Sequence, residues 1–368
     1  MVCIAAFIIL ILVSVPVLVL SIIGKRNKKV ARMVGPYFKM FKKSWYCVGK
    51  RVTLQKCEST FKDEIKNSLL KRVIVKKPKL VKPLGIAIEV TAVLIVLVTI
   101  WSLLTAVKGG LALYVYGTCD VSNPSSCSLN VTEACSIDQE KPGFWESAAT
   151  WQLPQYYANW FGELGEVITA IPSRLKHWDA AEYLPENATY LKSYDKNKPT
   201  ALEVIDPGCS VCRQSFINIT DSDFDDRYNL TYIAYPIPAA DGYKFAHSYL
   251  VTSYLEAVRL SEIQGDKQTT DWKIIKRMFT EFDAEDRQYQ SAFNASYNAE
   301  EAERVLQSWL KDFGYTDEQV RETVDIAHSS KVKETIAAHQ KIVDSDIKTK
   351  KIPTFIYDGR KHDGLLKP

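Results

Sequence analysis

Cys209 and Cys212, in the run Cys-Ser-Val-Cys, are the residues of this chain best suited to chemistry. A thiolate is the attacking species in disulfide exchange, so a working cysteine needs its pKa lowered from about 8.5. The start of a helix does this, because its first turn presents unpaired N–H groups and roughly half a positive charge. Cys212, one helical turn on, shares the face of Cys209 and can close a small ring that resolves a mixed disulfide. Zinc is the competing use of such a pair, but a closed tetrahedral site needs more ligands. No second Cys-x-x-Cys occurs, and the five histidines (His177, His247, His328, His339 and His362) show no ligand spacing. A purely structural crosslink over so short a loop gains little from chain entropy. The expected chemistry is therefore thiol–disulfide exchange by the sulfurs themselves, with no metal and no cofactor.

The elements around the pair fit that use. Thr200–Ile205 (TALEVI) has the apolar, β-branched character of a buried strand, and Asp206-Pro207-Gly208 ends it. Helix-compatible residues run from Cys209 to about Ile217, and Tyr228–Tyr235 reads as a second strand. Strand, helix, strand at this spacing predicts a βαβ unit with a parallel pair. Helices are expected at Tyr243–Ile263, Thr270–Phe282, Asn298–Phe313, Val320–His328 and Val332–Val343. Asn298 with Glu301, and Thr316 with Gln319, carry the capping-box spacing. Strand character returns at Ile352–Tyr357, and Asp358-Gly359 predicts a hairpin.

On these residues the sequence resembles the thioredoxin superfamily, and within it the disulfide-oxidase (DsbA-like) branch, over about Thr200–Leu366. The carrying features are Cys209 and Cys212 after a buried strand, Ile352-Pro353-Thr354 before a strand and an Asp-Gly hairpin, and Glu203 six positions before Cys209. The resemblance implies that Cys209 is the nucleophile and Cys212 the resolving thiol. It also implies that Pro353 is cis and faces the pair, with Ile352 and Thr354 in the loop that receives an extended substrate peptide. Glu203 takes the place of the buried acid that exchanges a proton with the second cysteine. The helical block of about 243–343 matches the subdomain that this branch inserts over its active site. Ser-Val departs from the Pro-His and Gly-Pro dipeptides known in the superfamily, and dipeptide identity helps set redox poise.

Charge and hydropathy place the domain. Gly24–Pro83 holds 19 Lys and Arg against 3 acids, a net of +16, so the remainder of a chain of net +4 carries −12. This segment is flanked by Val2–Ile23, uncharged, and Leu84–Val107, charged only at Glu89. Both are long enough to cross a ~30 Å hydrocarbon core at ~1.5 Å per residue. The missing basic n-region argues against a cleaved signal peptide. Short basic loops stay cytoplasmic, so everything after Lys108 is expected to face outward. The expected organisation is a transmembrane helix (1–23), a basic cytoplasmic loop (24–83), a second transmembrane helix (84–107), a Cys- and aromatic-rich stem (108–198) and an α/β, thioredoxin-like domain (199–368). The stem's Trp145, Trp151, Tyr156, Tyr157, Trp160 and Phe161 suit either the bilayer interface or packing on the downstream domain. Cys47 and Cys57 fall in the compartment where thiols stay reduced. Cys3, Cys119, Cys127 and Cys135 fall at the outer face, where two structural disulfides among the four are possible.

Three functions remain open on these grounds. The first is an oxidase or isomerase acting on cysteine-containing proteins at the outer membrane face, re-oxidised by a membrane redox partner. The second is a tethered reductase using the same residues. The third is a non-catalytic surface module, for which the Asn-x-Ser/Thr triplets at Asn130, Asn187, Asn218, Asn229 and Asn294 would serve as glycan acceptors. No motif supports nucleic-acid binding; the basic loop is read as setting topology and attracting anionic lipid.

Overall fold

Runs of β-branched residues and capped amphipathic stretches set most element boundaries in this chain. The computed structural model describes residues 45, 46, 50, 70, 78–122, 134–137, 141–262, 265 and 268–366. The first expected span, nearly all of the basic loop, and Cys3, Cys47, Cys57 and Cys127 lie outside them. Two units are distinguished, Met1–Val107 and Lys108–Pro368. Among the described residues one helix, α1 (Val81–Tyr116), is long and apolar enough to cross a membrane. Its 36 residues extend roughly 54 Å. Ile86, Val90, Leu94, Leu97, Val98 and Leu103 are exposed along it.

After α1 come a two-residue strand β1 (Cys135–Ser136) and the helices α2 (Phe144–Ala149) and α3 (Leu153–Ala170). Glu163 of α3 is the charge centre of this stem, bonded to Lys108 at 2.6 Å, to Lys141 at 3.1 Å and to the Ser122 hydroxyl. The stem aromatics divide between environments: Trp160 is buried, whereas Trp145 and Trp151 are largely exposed.

The mixed α/β part begins at β2 (Thr200–Ile205), followed by α4 (Ser210–Thr220), α5 (Phe224–Arg227) and β3 (Asn229–Ala234). A small hairpin, β4 (Pro238–Ala239) and β5 (Gly242–Tyr243), then leads into the helices. These are α6 (Ser248–Ser261), α7 (Thr270–Thr280), α8 (Tyr289–Ala295), α9 (Ala299–Asp312), α10 (Asp317–Ala327) and α11 (Ser330–Lys341). The chain closes with β6 (Lys351–Ile352), β7 (Thr354–Tyr357) and β8 (Arg360–Asp363).

The central sheet has the order β3-β2-β7-β8. β2 runs parallel to β3, with Glu203 opposite Tyr232, and antiparallel to β7, with Val204 opposite Thr354. The parallel pair and the 358–359 hairpin form as the sequence predicts; Asp358 and Gly359 take the left-handed conformation, at φ 49° and 71°. Both capping boxes also form, at Asn298 and at Thr316.

Three expectations are corrected. The helix expected from Tyr243 starts at Ser248, because Gly242 and Tyr243 pair back on Pro238 and Ala239. The strand expected over Ile352–Tyr357 is split at Pro353, which has no N–H for the ladder, so β6 and β7 pair with different partners. Asn229 is buried, and its amide donates to the carbonyls of Asp195 and Lys198, which removes it as a glycan acceptor.

Helical block and sheet share one core. Ring contacts join Tyr232 to Trp272 at 4.7 Å and Phe216 to Phe279 at 5.7 Å. A buried ionic group lies on the same side: Arg259 meets Glu256 at 3.3 Å and Asp271 at 3.2 Å, and donates to the Tyr232 carbonyl at 2.9 Å. Each carboxylate is paired with the guanidinium, the condition under which buried ions are tolerated.

Candidate active site

The turn that ends β2 builds the site. The Asp206 carboxylate accepts from the Gly208 N–H at 2.8 Å and from the Ile237 N–H at 2.7 Å, tying this turn to the end of β3. Within the turn, the Cys209 N–H donates to the Asp206 carbonyl at 3.0 Å. A side chain at Gly208 would strike Phe245, since a Cβ there would lie 2.3 Å from that residue's own Cβ. The turn delivers Cys209 as the N-cap of α4, with extended backbone at φ −77°, ψ 118°. Cys212 is then the third helical residue. Both cysteines are fully buried.

Helix α8 clamps the turn from the helical block. The Gln290 amide donates to the Pro207 carbonyl at 2.7 Å and to the Cys209 carbonyl at 2.9 Å. Asn294 donates to the Gly208 carbonyl at 2.8 Å, so a second supposed glycan acceptor is in structural use. The Ile352–Pro353 bond is cis. The Cys209 sulfur lies 3.8 Å from the Ile352 carbonyl oxygen, which sets this loop directly against the cysteine pair.

Thr354 is placed differently. Its hydroxyl is buried and bonded within the loop, to the Lys351 carbonyl at 2.7 Å and to Thr349 at 2.7 Å, so it braces the turn. Glu203 sits in the centre of the sheet at 2% exposure, with one carboxylate oxygen unpartnered. Burial pushes its carboxyl well above the ordinary range. Burial also pushes the Cys212 thiol well up, and the charge of Glu203 adds to that shift. Burial raises Asp206 to about 7 against the pull of its two backbone donors.

One pairing overturns a sequence expectation. Cys209 is disulfide-bonded to Cys135 of the stem, 74 residues earlier, and Cys212 is a free thiol. Cys135 therefore does not belong to a structural set with Cys3, Cys119 and Cys127. It sits in β1, antiparallel to β6 with Cys135 opposite Ile352 and Ser136 opposite Lys351. Neither Cys135 nor the α8 amides were marked by their spacing from Cys209. The only earlier sign of Cys135 was its expected compartment.

No family model and no curated relative matches the sequence. Structures similar to it are thioredoxin-like and DsbA-like thiol–disulfide oxidoreductases. A thioredoxin-like oxidoreductase from Silicibacter pomeroyi DSS-3 is 17% identical, with 50% of this chain and 86% of that chain covered and a TM-score of 0.32. The thiol-disulfide exchange protein alpha-DsbA2 from Wolbachia pipientis is 16% identical, with coverages of 48% and 81% and a TM-score of 0.33. MdbA, a thiol-disulfide oxidoreductase from Corynebacterium diphtheriae, is 16% identical, with coverages of 48% and 83% and a TM-score of 0.35.

Proposed function

We propose that this chain is a membrane-anchored thiol–disulfide oxidoreductase that exchanges disulfides with cysteine-containing proteins outside the cytoplasm. The observation that carries the reading is the exchanged state of the pair. Cys209, at a helix start, is bonded to a cysteine on an extended strand, while Cys212 waits as a free thiol one turn along. That arrangement has the form of an exchange intermediate: attacking sulfur, extended peptide, resolving thiol.

In the oxidising direction, a substrate thiolate attacks Cys209 of a Cys209–Cys212 disulfide, and Cys212 leaves with the electron pair. Glu203, whose pKa burial raises, gives Cys212 its proton and takes one back when the pair is re-oxidised. A second substrate thiolate then attacks the substrate sulfur of the mixed disulfide. The substrate leaves as a disulfide, and the pair is left as two thiols. Ile352 lends backbone groups to the extended peptide beside Pro353. A membrane redox partner restores the pair by removing two electrons. The reductase reading runs the same steps in reverse, and the equilibrium with glutathione separates the two.

Anchoring rests on α1, which is long and apolar enough to span a membrane and exposes Ile86, Val90, Leu94, Leu97, Val98 and Leu103. The basic segment before it favours the orientation with Lys108–Pro368 outside.

The test uses the full-length protein in detergent with a cysteine-containing peptide. Cys212→Ala combined with Cys135→Ser, lacking both the resolving thiol and the stem sulfur, is expected to accumulate a peptide adduct on Cys209, while Cys209→Ser forms none. Absence of any adduct, together with unchanged peptide oxidation in Cys209→Ser, rules the reading out.

A further inference from the structure

The bond between Cys135 and Cys209 has a consequence beyond exchange with outside substrates. Its stem strand occupies the place where an extended substrate would pair. Cys135 lies opposite Ile352 and Ser136 opposite Lys351, the two residues that precede Pro353. The pairing is prolonged by the Ile137 N–H, which donates to the Lys350 carbonyl at 3.1 Å. Lys244, just after the β4–β5 hairpin, donates to the Ser136 carbonyl at 3.0 Å. A peptide strand, a loop ending in proline and a sulfur bonded to Cys209 are thus assembled from one chain.

The holding contacts are few. The strand is two residues long, and Cys135 and Ile137 are only half-buried. A bond meant only for stability would leave the fully buried Cys212 thiol without a use beside it. With the strand seated, Cys209 has no exposed surface, so no outside disulfide reaches its sulfur.

We infer that Cys135 is a third redox cysteine of this protein, and that its strand is a tethered occupant of the peptide groove, released by attack of Cys212. The inference rests on the exchange function proposed above. The step conserves atoms and electrons. The Cys212 thiol loses its proton to the Glu203 carboxylate, and its sulfur attacks Cys209. The Cys209–Cys212 bond forms as the Cys135–Cys209 bond breaks. Cys135 leaves as a thiolate and takes up a proton from solvent. No oxidant or reductant is consumed: a closed one-disulfide isomer becomes an open one, with the groove vacated and the working disulfide formed. The tether makes the strand a strong competitor. Taking roughly millimolar as the effective concentration a flexible linker gives its end, a peptide at about 0.1 mM faces about a tenfold excess of the chain's own strand.

The decisive experiment is disulfide mapping of the full-length protein in detergent, equilibrated in graded glutathione buffers, quenched in acid and alkylated. Both isomers are expected in the wild type. Their ratio should stay constant while their sum falls as the buffer becomes more reducing, because their interconversion transfers no electrons. Cys212→Ala should hold Cys135–Cys209 alone. Cys135→Ser should hold Cys209–Cys212 alone and exchange with 0.1 mM cysteine peptide about tenfold faster. A Cys135–Cys209 bond that persists unchanged until reduced, with Cys212 always a thiol, overturns the inference, as does recovery of Cys209–Cys212 alone in the wild type. The second result, with peptide exchange intact, leaves the proposed function standing. Failure of Cys135→Ser and wild type alike to exchange with any peptide removes that function and the inference with it.

Discussion

Glu203 faces Tyr232 and Phe355 across the sheet, buried and with an oxygen that nothing bonds. A carboxyl in such a place costs stability, of order 1–3 kcal/mol for an unsatisfied polar group. Glu203→Leu is therefore expected to raise the melting temperature while slowing Cys212-dependent exchange by about a hundredfold, the lower range for losing a positioned proton donor. Loss of rate without gain in stability would place the cost elsewhere. Asp206 makes a pH argument of definite sign. Burial holds its folded-state pKa at about 7, whereas in the unfolded chain it ionises near 3.9. Between those values the unfolded chain has released a proton that the folded chain keeps. The group's contribution is thus complete below about pH 4 and lost as pH rises to about 7. Thermal unfolding from pH 4 to 8 should show a decline that flattens above 7. Asp206→Asn should be less stable at pH 4, because its amide turns N–H bonds toward the donors of Gly208 or Ile237, and should lose the slope.

At the scale of elements, helix α8 does more than cover the active-site turn. Gln290 satisfies two of the turn's carbonyls, and Asn294 a third. Gln290→Ala orphans the Pro207 carbonyl at about 1–3 kcal/mol, while that of Cys209 keeps the Arg213 N–H at 3.2 Å; a melting-temperature drop of several degrees is expected, together with faster alkylation of Cys212 by a neutral reagent as the turn loosens. An unchanged alkylation rate would limit Gln290 to stability. The extent to which such elements could be read from the sequence follows from the range of the interactions that make them. β2 and the paired capping boxes depend on neighbours a few residues away, and their patterns are explicit in TALEVI, Asn298–Glu301 and Thr316–Gln319. The β4–β5 hairpin is too short to show an alternating pattern, so in sequence Tyr243 is continuous with the helix that starts at Ser248. The α8 clamp and the Cys135–Cys209 bond join residues 81 and 74 positions apart, and no local composition encodes such a pairing. Cys209, Cys212, Pro353 and Glu203 are grouped as candidates in the sequence because a resemblance supplies the long-range geometry.

For the molecule as a whole, the charge division and the apolar helix make one joint argument about compartment. A disulfide at Cys209 persists only where glutathione and thioredoxin do not keep thiols reduced, so the proposed chemistry asks for Lys108–Pro368 on the oxidising side. The net of +16 over Gly24–Pro83 favours the cytoplasmic side for that segment under the proposed anchoring. Both demands are met by a helix such as α1 crossing between them. Electrostatic attachment alone would weaken in 1 M salt, where the screening length falls to about 3 Å, whereas a spanning helix is indifferent to salt. The chain should therefore remain with membranes through a 1 M salt wash and leave them only in detergent. Protease added outside intact cells should reach the Lys108–Pro368 unit and spare peptides from Gly24–Pro83. Protection of the unit with cleavage of the basic segment would reverse the orientation. Cys209 would then sit in the reducing compartment, and the exchange chemistry argued from its disulfide would lose the environment it needs.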